Sequence, residues 1–175
     1  MRQKILPLVF EPSPILHQKS KTIYNINQEI INIAESLIST MRYHDGLGLA
    51  AVQIGILQRV IAINIGHCNL KNRYGAMVLI NPEVVEKSED KKFYSEGCLS
   101  FGNIYPEIER YNRVKVKYLD INGSEKFLEL SNSIMSSCLQ HEIDHTNGIV
   151  FLDRLSKLKK DFMMKKYMRW KKSIS

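Results

Sequence analysis

The segment His141-Glu142-Ile143-Asp144-His145 carries two imidazoles four residues apart. On a helix they lie within about 40° of each other around the axis and about 6 Å apart along it, so both can reach one metal ion from the same face. Glu142 and Asp144 fall about 80° to either side of that face, so angle alone does not choose between them. Side-chain length favours Glu142, which can reach a water on the ion without binding the ion, as a general base must. The same pentapeptide also suits two ordinary helix histidines. An open hydrolytic site needs a third protein ligand. The candidates are Cys98, Cys138, His17, His44, His67 and Cys68. Cys138 shares the helix face but sits about 10.5 Å from His145 along the axis, which suits a pocket-lining or packing role better. Cys98 lies in Glu96-Gly97-Cys98-Leu99-Ser100. There Gly97 permits a tight turn or a close approach, and a neighbouring dication would stabilise the thiolate. The run Gly46-Leu47-Gly48-Leu49-Ala50-Ala51-Val52-Gln53-Ile54-Gly55 allows close backbone packing. Its Gln53 offers amide N–H groups to a developing oxyanion. The spacing is not that of a phosphate-binding loop, and no lysine follows to meet a phosphate.

Helices and strands must hold these groups. The H-E-x-x-H segment falls in a helix expected from about Ser133 to Asn147, with Gly148 at C′. An earlier helix is expected from Asn25 to Tyr43, where Ile26, Ile30, Ile33, Leu37, Ile38 and Met41 recur at three- and four-residue steps, with Asn27 as N-cap. Arg59 to Ile65 and Ala76 to Asn81 read as strands, with Pro82 expected to stop the second and Val84 to Glu86 resuming the sheet. Arg113 to Leu119 alternates, turns at Asp120-Ile121-Asn122-Gly123 and returns over Lys126 to Leu130. A last helix is expected over about Lys157 to Lys171. Residues 1–24 hold three of the five prolines and should wrap the body in extended, turn-rich form. With no repeat and no linker, this order reads as a single α+β domain over residues 1–175.

At 175 residues and 44% hydrophobic content, disorder, collagen-like repeats and coiled coil are excluded. Three cysteines rule out a disulfide framework and fit a reducing compartment. No apolar run approaches the ~18–20 residues of a membrane span, and the N-terminus lacks the features of a signal peptide. The net charge of +7 is uneven: residues 154–175 carry +8, and the rest carries −1. A basic C-terminal tail on a neutral body points to an anionic partner, nucleic acid or a membrane surface. Solvated lysines around an apolar packing face are the simpler reading.

In this order, G-L-G-L-A-A-V-Q, E-G-C-L-S and Q-H-E-I-D-H resemble the three signature motifs of peptide deformylases, and the similarity extends over nearly the whole chain. The resemblance implies antiparallel β-sheets around a central helix carrying H-E-x-x-H, with a C-terminal helix. It implies a metalloamidase, cytoplasmic or in an organellar matrix, that removes formate from N-formylmethionine on nascent peptides. Cys98, His141 and His145 would bind one divalent ion, Fe2+ natively, with Zn2+, Ni2+ or Co2+ able to replace it. Glu142 would be the acid/base, and Gln53 with the backbone N–H of Leu99 would receive the oxyanion. Gly48 would bind the substrate backbone, and Leu47, Tyr94, Glu96, Ile134 and Cys138 would form the methionine pocket. The basic C-terminal helix would dock on the ribosome, with no membrane contact. Where the family often has proline shortly after E-G-C-L-S, this chain has Phe101-Gly102-Asn103, which implies a freer loop beside the downstream peptide. A zincin-type endopeptidase shares only the pentapeptide, and a non-catalytic ribosome-binding protein explains only the tail.

Overall fold

A computed structural model describes residues 4–68 and 75–174, with the side chains of His67 and Cys68 outside the description. Strands β1 (Gly48–Ala50), β2 (Val60–Asn64), β3 (Ala76–Lys87), β6 (Arg113–Leu119) and β7 (Glu125–Ser131) form one sheet in the order β1-β2-β3-β6-β7. Every pairing in it is antiparallel. Strands β4 (Lys91–Ser95) and β5 (Glu107–Tyr111) form a separate antiparallel pair. Among the described residues, three α-helices complete the fold: α1 (Gln28–Tyr43), α2 (Ile134–Thr146) and α3 (Lys157–Ser173). The architecture is α+β, as the residue order implies.

Strand β2 explains why two helices sandwich the sheet. Its residues alternate between two cores, because successive side chains point to opposite faces. Val60 and Ala62 join Ile30, Ile33, Leu37 and Met41 of α1. Ile61 and Ile63 join Met135, Leu139 and Ile143 of α2. A strand covered on both faces reads as a continuous apolar run, which is what Val60-Ile61-Ala62-Ile63 is. Helix α1 starts where Asn27 accepts a hydrogen bond from the Ile30 N–H (3.1 Å). A third core gathers Leu16 of the front segment, Phe101, Ile104, Val150 to Leu152, and Tyr167 of α3.

Two expectations need correction. Pro82 does not end its strand. β3 runs through it, and the register against β6 shifts between Ile80 and Glu83. A bulge tolerates a residue with no N–H. Asn81 takes a positive φ of 51° there and exchanges two hydrogen bonds with the Ile23 backbone. The freer loop expected at Phe101-Gly102-Asn103 is instead packed. Phe101 is fully buried, and the ring of Trp170 lies against Gly102.

Candidate metal centre

Helix α2 is set at both ends. Ser133 caps its N-terminus by accepting from the Ser136 N–H (3.2 Å). Beyond its C-terminus, Gly148 takes φ +73°, and a Cβ there would meet the His17 carbonyl oxygen at 2.7 Å. Both the left-handed conformation and the close approach require glycine. The helix packs on β1 and β2 and so presents His141, Glu142 and His145 inward, all buried.

Cys98 precedes a short 3-10 turn (Leu99–Phe101) and points at the same spot. The candidate ligand atoms of Cys98, His141 and His145 all lie within 4.8 Å of one another, and Cys98 Sγ is 3.3 Å from His145 Nε2. A tetrahedral ion with bonds of about 2.0–2.3 Å spaces its ligands about 3.4–3.6 Å apart, so a small contraction closes this set on one cation. His141 Nδ1 is 2.9 Å from Glu96 Oε2, which leaves Nε2 as its ligating atom. One thiolate and two imidazoles suit a divalent transition ion. The other proposed ligands stand elsewhere. Cys138 lines the adjacent cleft, His44 lies at the cleft's edge, and His17 pairs with Glu11 (3.1 Å). His67 and Cys68 fall outside the described side chains.

Glu142 lies beside this set with its Oε2 buried and without a hydrogen-bond partner among the described residues. Burial pushes its carboxyl up to about 7. Gly48 makes the room: a Cβ there would sit 2.6 Å from both Cγ and Oε1 of Glu142. Gln53 is held by its Oε1, which accepts from the Ala50 N–H (2.8 Å). Its Nε2 then faces Cys98 Sγ (3.5 Å) and Ser100 Oγ (3.3 Å). These groups open on a cleft of about 520 Å³ lined also by Leu47, Leu99, Ile134, Cys138 and Trp170.

Asp144, the rival to Glu142, is taken up by two arginines, Arg110 and Arg154. Arg110 also grips Glu96 with two hydrogen bonds (2.6 and 2.9 Å), and Ser137 Oγ donates to the same carboxylate (2.7 Å). Burial alone would raise the Glu96 carboxyl, but Arg110 and His141 together hold it well below the usual carboxylate range. Glu96 therefore reaches the cleft with its charge committed to His141 and Arg110. Tyr94 is not among the residues lining the cleft; it pairs with Ile108 across β4 and β5. Sequence reasoning missed Arg110. The signal was the alternation in Glu107-Ile108-Glu109-Arg110-Tyr111, which puts Arg110 on the inward face with Ile108. An inward arginine requires acidic partners.

Carried on an α+β frame, a thiolate–imidazole ligand set with a buried carboxylate beside it defines a candidate metallohydrolase. The chain matches the polypeptide deformylase family over residues 5–161. It is 41% identical over 165 residues to a peptide deformylase of Mesorhizobium japonicum, covering 94% of this chain and 92% of that one. It is 38% identical to one of Agrobacterium fabrum, covering 94% and 95%. The crystal structure of peptide deformylase from Ehrlichia chaffeensis superposes with a TM-score of 0.89 at 35% identity, over 97% of this chain and 98% of that one. This chain belongs to the peptide deformylase family.

Proposed function

We propose that this site removes the formyl group from N-formylmethionyl nascent peptides, with one divalent ion held by Cys98, His141 and His145. The observation that carries this reading is the convergence of a loop thiolate and two helix imidazoles beside the buried Glu142. Among the ions that such ligands accept, Fe2+ is assigned as native on the family resemblance. When bound, the ion supplies Lewis acidity to the attacking water and to the formyl oxygen.

The chain's own residues do the rest. Glu142 takes a proton from the attacking water, and a carboxyl that burial raises to about 7 suits that task at neutral pH. As charge grows on the formyl oxygen, the Gln53 side-chain amide and the Leu99 backbone N–H donate to it. One such donor is worth ~3 kcal/mol of barrier. Glu142 then gives its proton to the leaving amine, so formate and a free N-terminus result. Gly48 brings the β1 backbone against the substrate, and Leu47, Ile134 and Cys138 receive the methionine side chain. Glu96 orients His141 through Nδ1.

A thiolate ligand needs a reducing compartment, which supports a bacterial cytoplasm or an organellar matrix. Among the described residues, no helix is long and apolar enough to cross a membrane. The exposed Lys157, Lys159, Lys165, Lys166 and Arg169 of α3 give a basic face, which supports contact with ribosomal RNA phosphate.

The test is formate release. Anaerobically purified, Fe2+-loaded protein should release one formate per formyl-Met-Ala-Ser consumed and leave the unblocked peptide intact. Glu142→Ala should keep its metal and lose ~10²–10⁴-fold in kcat. Cleavage inside the unblocked peptide would favour an endopeptidase, and unchanged formate release by Glu142→Ala would remove the carboxylate from the mechanism.

A further inference from the structure

Beyond the metal ligands, the wall of the cleft includes a residue from the far end of the chain. Trp170 of α3 lines the same cavity as Cys98, His141 and Glu142, together with Phe10 of the front segment, Tyr105 and Gly102. It lies outside residues 5–161, the stretch matched to the family.

The indole is held there from several sides. Gly102 adopts φ +58°, and a Cβ on it would stand 2.1 Å from the Trp170 ring, so the ring lies directly on the Gly102 backbone. The Phe10 and Trp170 centroids are 6.4 Å apart, and those of Tyr167 and Trp170 are 5.9 Å apart. Tyr167, one turn earlier on α3, is fully buried, and its hydroxyl donates to the Glu11 carbonyl (2.6 Å). The front segment and α3 are thereby tied together next to the ring. Phe10 remains 38% exposed and Tyr105 61% exposed. Phe10 and Tyr105 thus border the open side of the cleft, whereas Glu96, His141 and Glu142 are buried in it.

We propose that Trp170, with Phe10 and Tyr105, forms an aromatic subsite that selects apolar side chains in the peptide just downstream of the N-terminal methionine. The inference rests on the deformylase reading of the same cleft. The occupant follows from continuity: a peptide with its formyl group at Cys98 and His145 must leave through the mouth of this cavity. Side chains leaving there meet ring faces and edges. Such contacts favour aliphatic and aromatic partners over small or charged ones. They act on the bound substrate and the transition state alike, so they should move KM more than kcat.

The experiment compares formyl-Met-Leu-Phe with formyl-Met-Ala-Ser as substrates of the full-length, Fe2+-loaded protein. The wild type should prefer the first in kcat/KM. Trp170→Ala should lower that preference ~5–10-fold, chiefly through a higher KM for formyl-Met-Leu-Phe, and Trp170→Phe should restore part of it. Tyr105→Ala and Phe10→Ala should each lower it ~2–4-fold, and they decide the matter if circular dichroism shows Trp170→Ala unfolded. Phe162→Ala, an exposed ring elsewhere on α3, should leave the preference unchanged. Formate release with no preference in the wild type, or with a preference that survives in the subsite variants, overturns the subsite alone. No formate release by the wild type overturns the deformylase reading and this inference with it.

Discussion

At the scale of single residues, the site depends on what small side chains leave open and on what charged ones hold. Gly48 is the sharpest case, because any side chain there enters the volume of the Glu142 carboxylate. Gly48→Ala should displace Glu142 and lower formate release at least ~100-fold, with metal content kept and a stability loss of about 1–3 kcal/mol by urea unfolding. A variant with full activity would show that Glu142 tolerates displacement. Arg110 is the opposite case, a buried cation between Glu96 and Asp144. Arg110→Ala removes the cation shared by two buried carboxylates, leaving Asp144 with Arg154 and Glu96 with Ser137 and His141, and should cost about 3 kcal/mol of stability. Its metal affinity should fall as well, because Glu96 loses the partner that aims it at His141. Unchanged urea unfolding would contradict the network.

At the scale of elements, regular periodicity was legible and context-made structure was not. The three helices and the β6–β7 hairpin follow from apolar spacing, caps and a turn. Helix α2 in particular follows from its sequence, with His141 and His145 one turn apart on a single face. β1 is three residues long and begins with glycine, and only pairing with β2 makes it a strand. β4 and β5 carry mixed polar sequences whose inward residues, Ile108 and Arg110, make sense only against α2. Pro82 misled because a bulge, invisible to local rules, absorbs it. The convergence of Cys98, His141 and His145 could be anticipated because the two histidines share a helix spacing and the cysteine lies in a recognisable motif. Of the residues expected around the methionine, Leu47, Glu96, Ile134 and Cys138 line the cleft, whereas Tyr94 does not and sits in the β4–β5 pair opposite Ile108. Helix α3 supplies a test at this scale. Burial and the Glu11 carboxylate push the Tyr167 hydroxyl up to about 12, so the folded state holds its proton more tightly than the unfolded chain, which ionises near 10. That contribution is complete below pH 10 and fades as pH rises through 12. Tyr167→Phe should be about 1 kcal/mol less stable at neutral pH, from the lost hydrogen bond to Glu11, and the gap to wild type should narrow above pH 10. A gap that is constant with pH would place the hydroxyl in water.

At the scale of the whole molecule, the chain is a nearly neutral body with a strongly basic end. Truncating α3 is a poor test of that charge, because Tyr167 is part of the third core and its loss would expose Phe101 and Phe151. Charge reversal at exposed positions is cleaner. Lys159→Glu, Lys165→Glu and Lys166→Glu together should abolish co-sedimentation with ribosomes at low salt and leave formate release from a free peptide unchanged. In the unaltered protein, added salt should release the bound fraction. Equal co-sedimentation by the triple variant would move the contact elsewhere. The same view joins the two ends of the chain: the front segment and α3 meet at Glu11 and Tyr167, close to the mouth of the cleft.

X-ray absorption at the metal edge of the Fe2+- or Zn2+-loaded protein addresses the ligand set most directly. One sulfur scatterer at about 2.3 Å and two imidazole nitrogens at about 2.0–2.1 Å are expected, with the sulfur contribution absent in Cys98→Ala. A first shell of nitrogen and oxygen alone in the wild type, or a sulfur shell that persists in Cys98→Ala, would contradict the account.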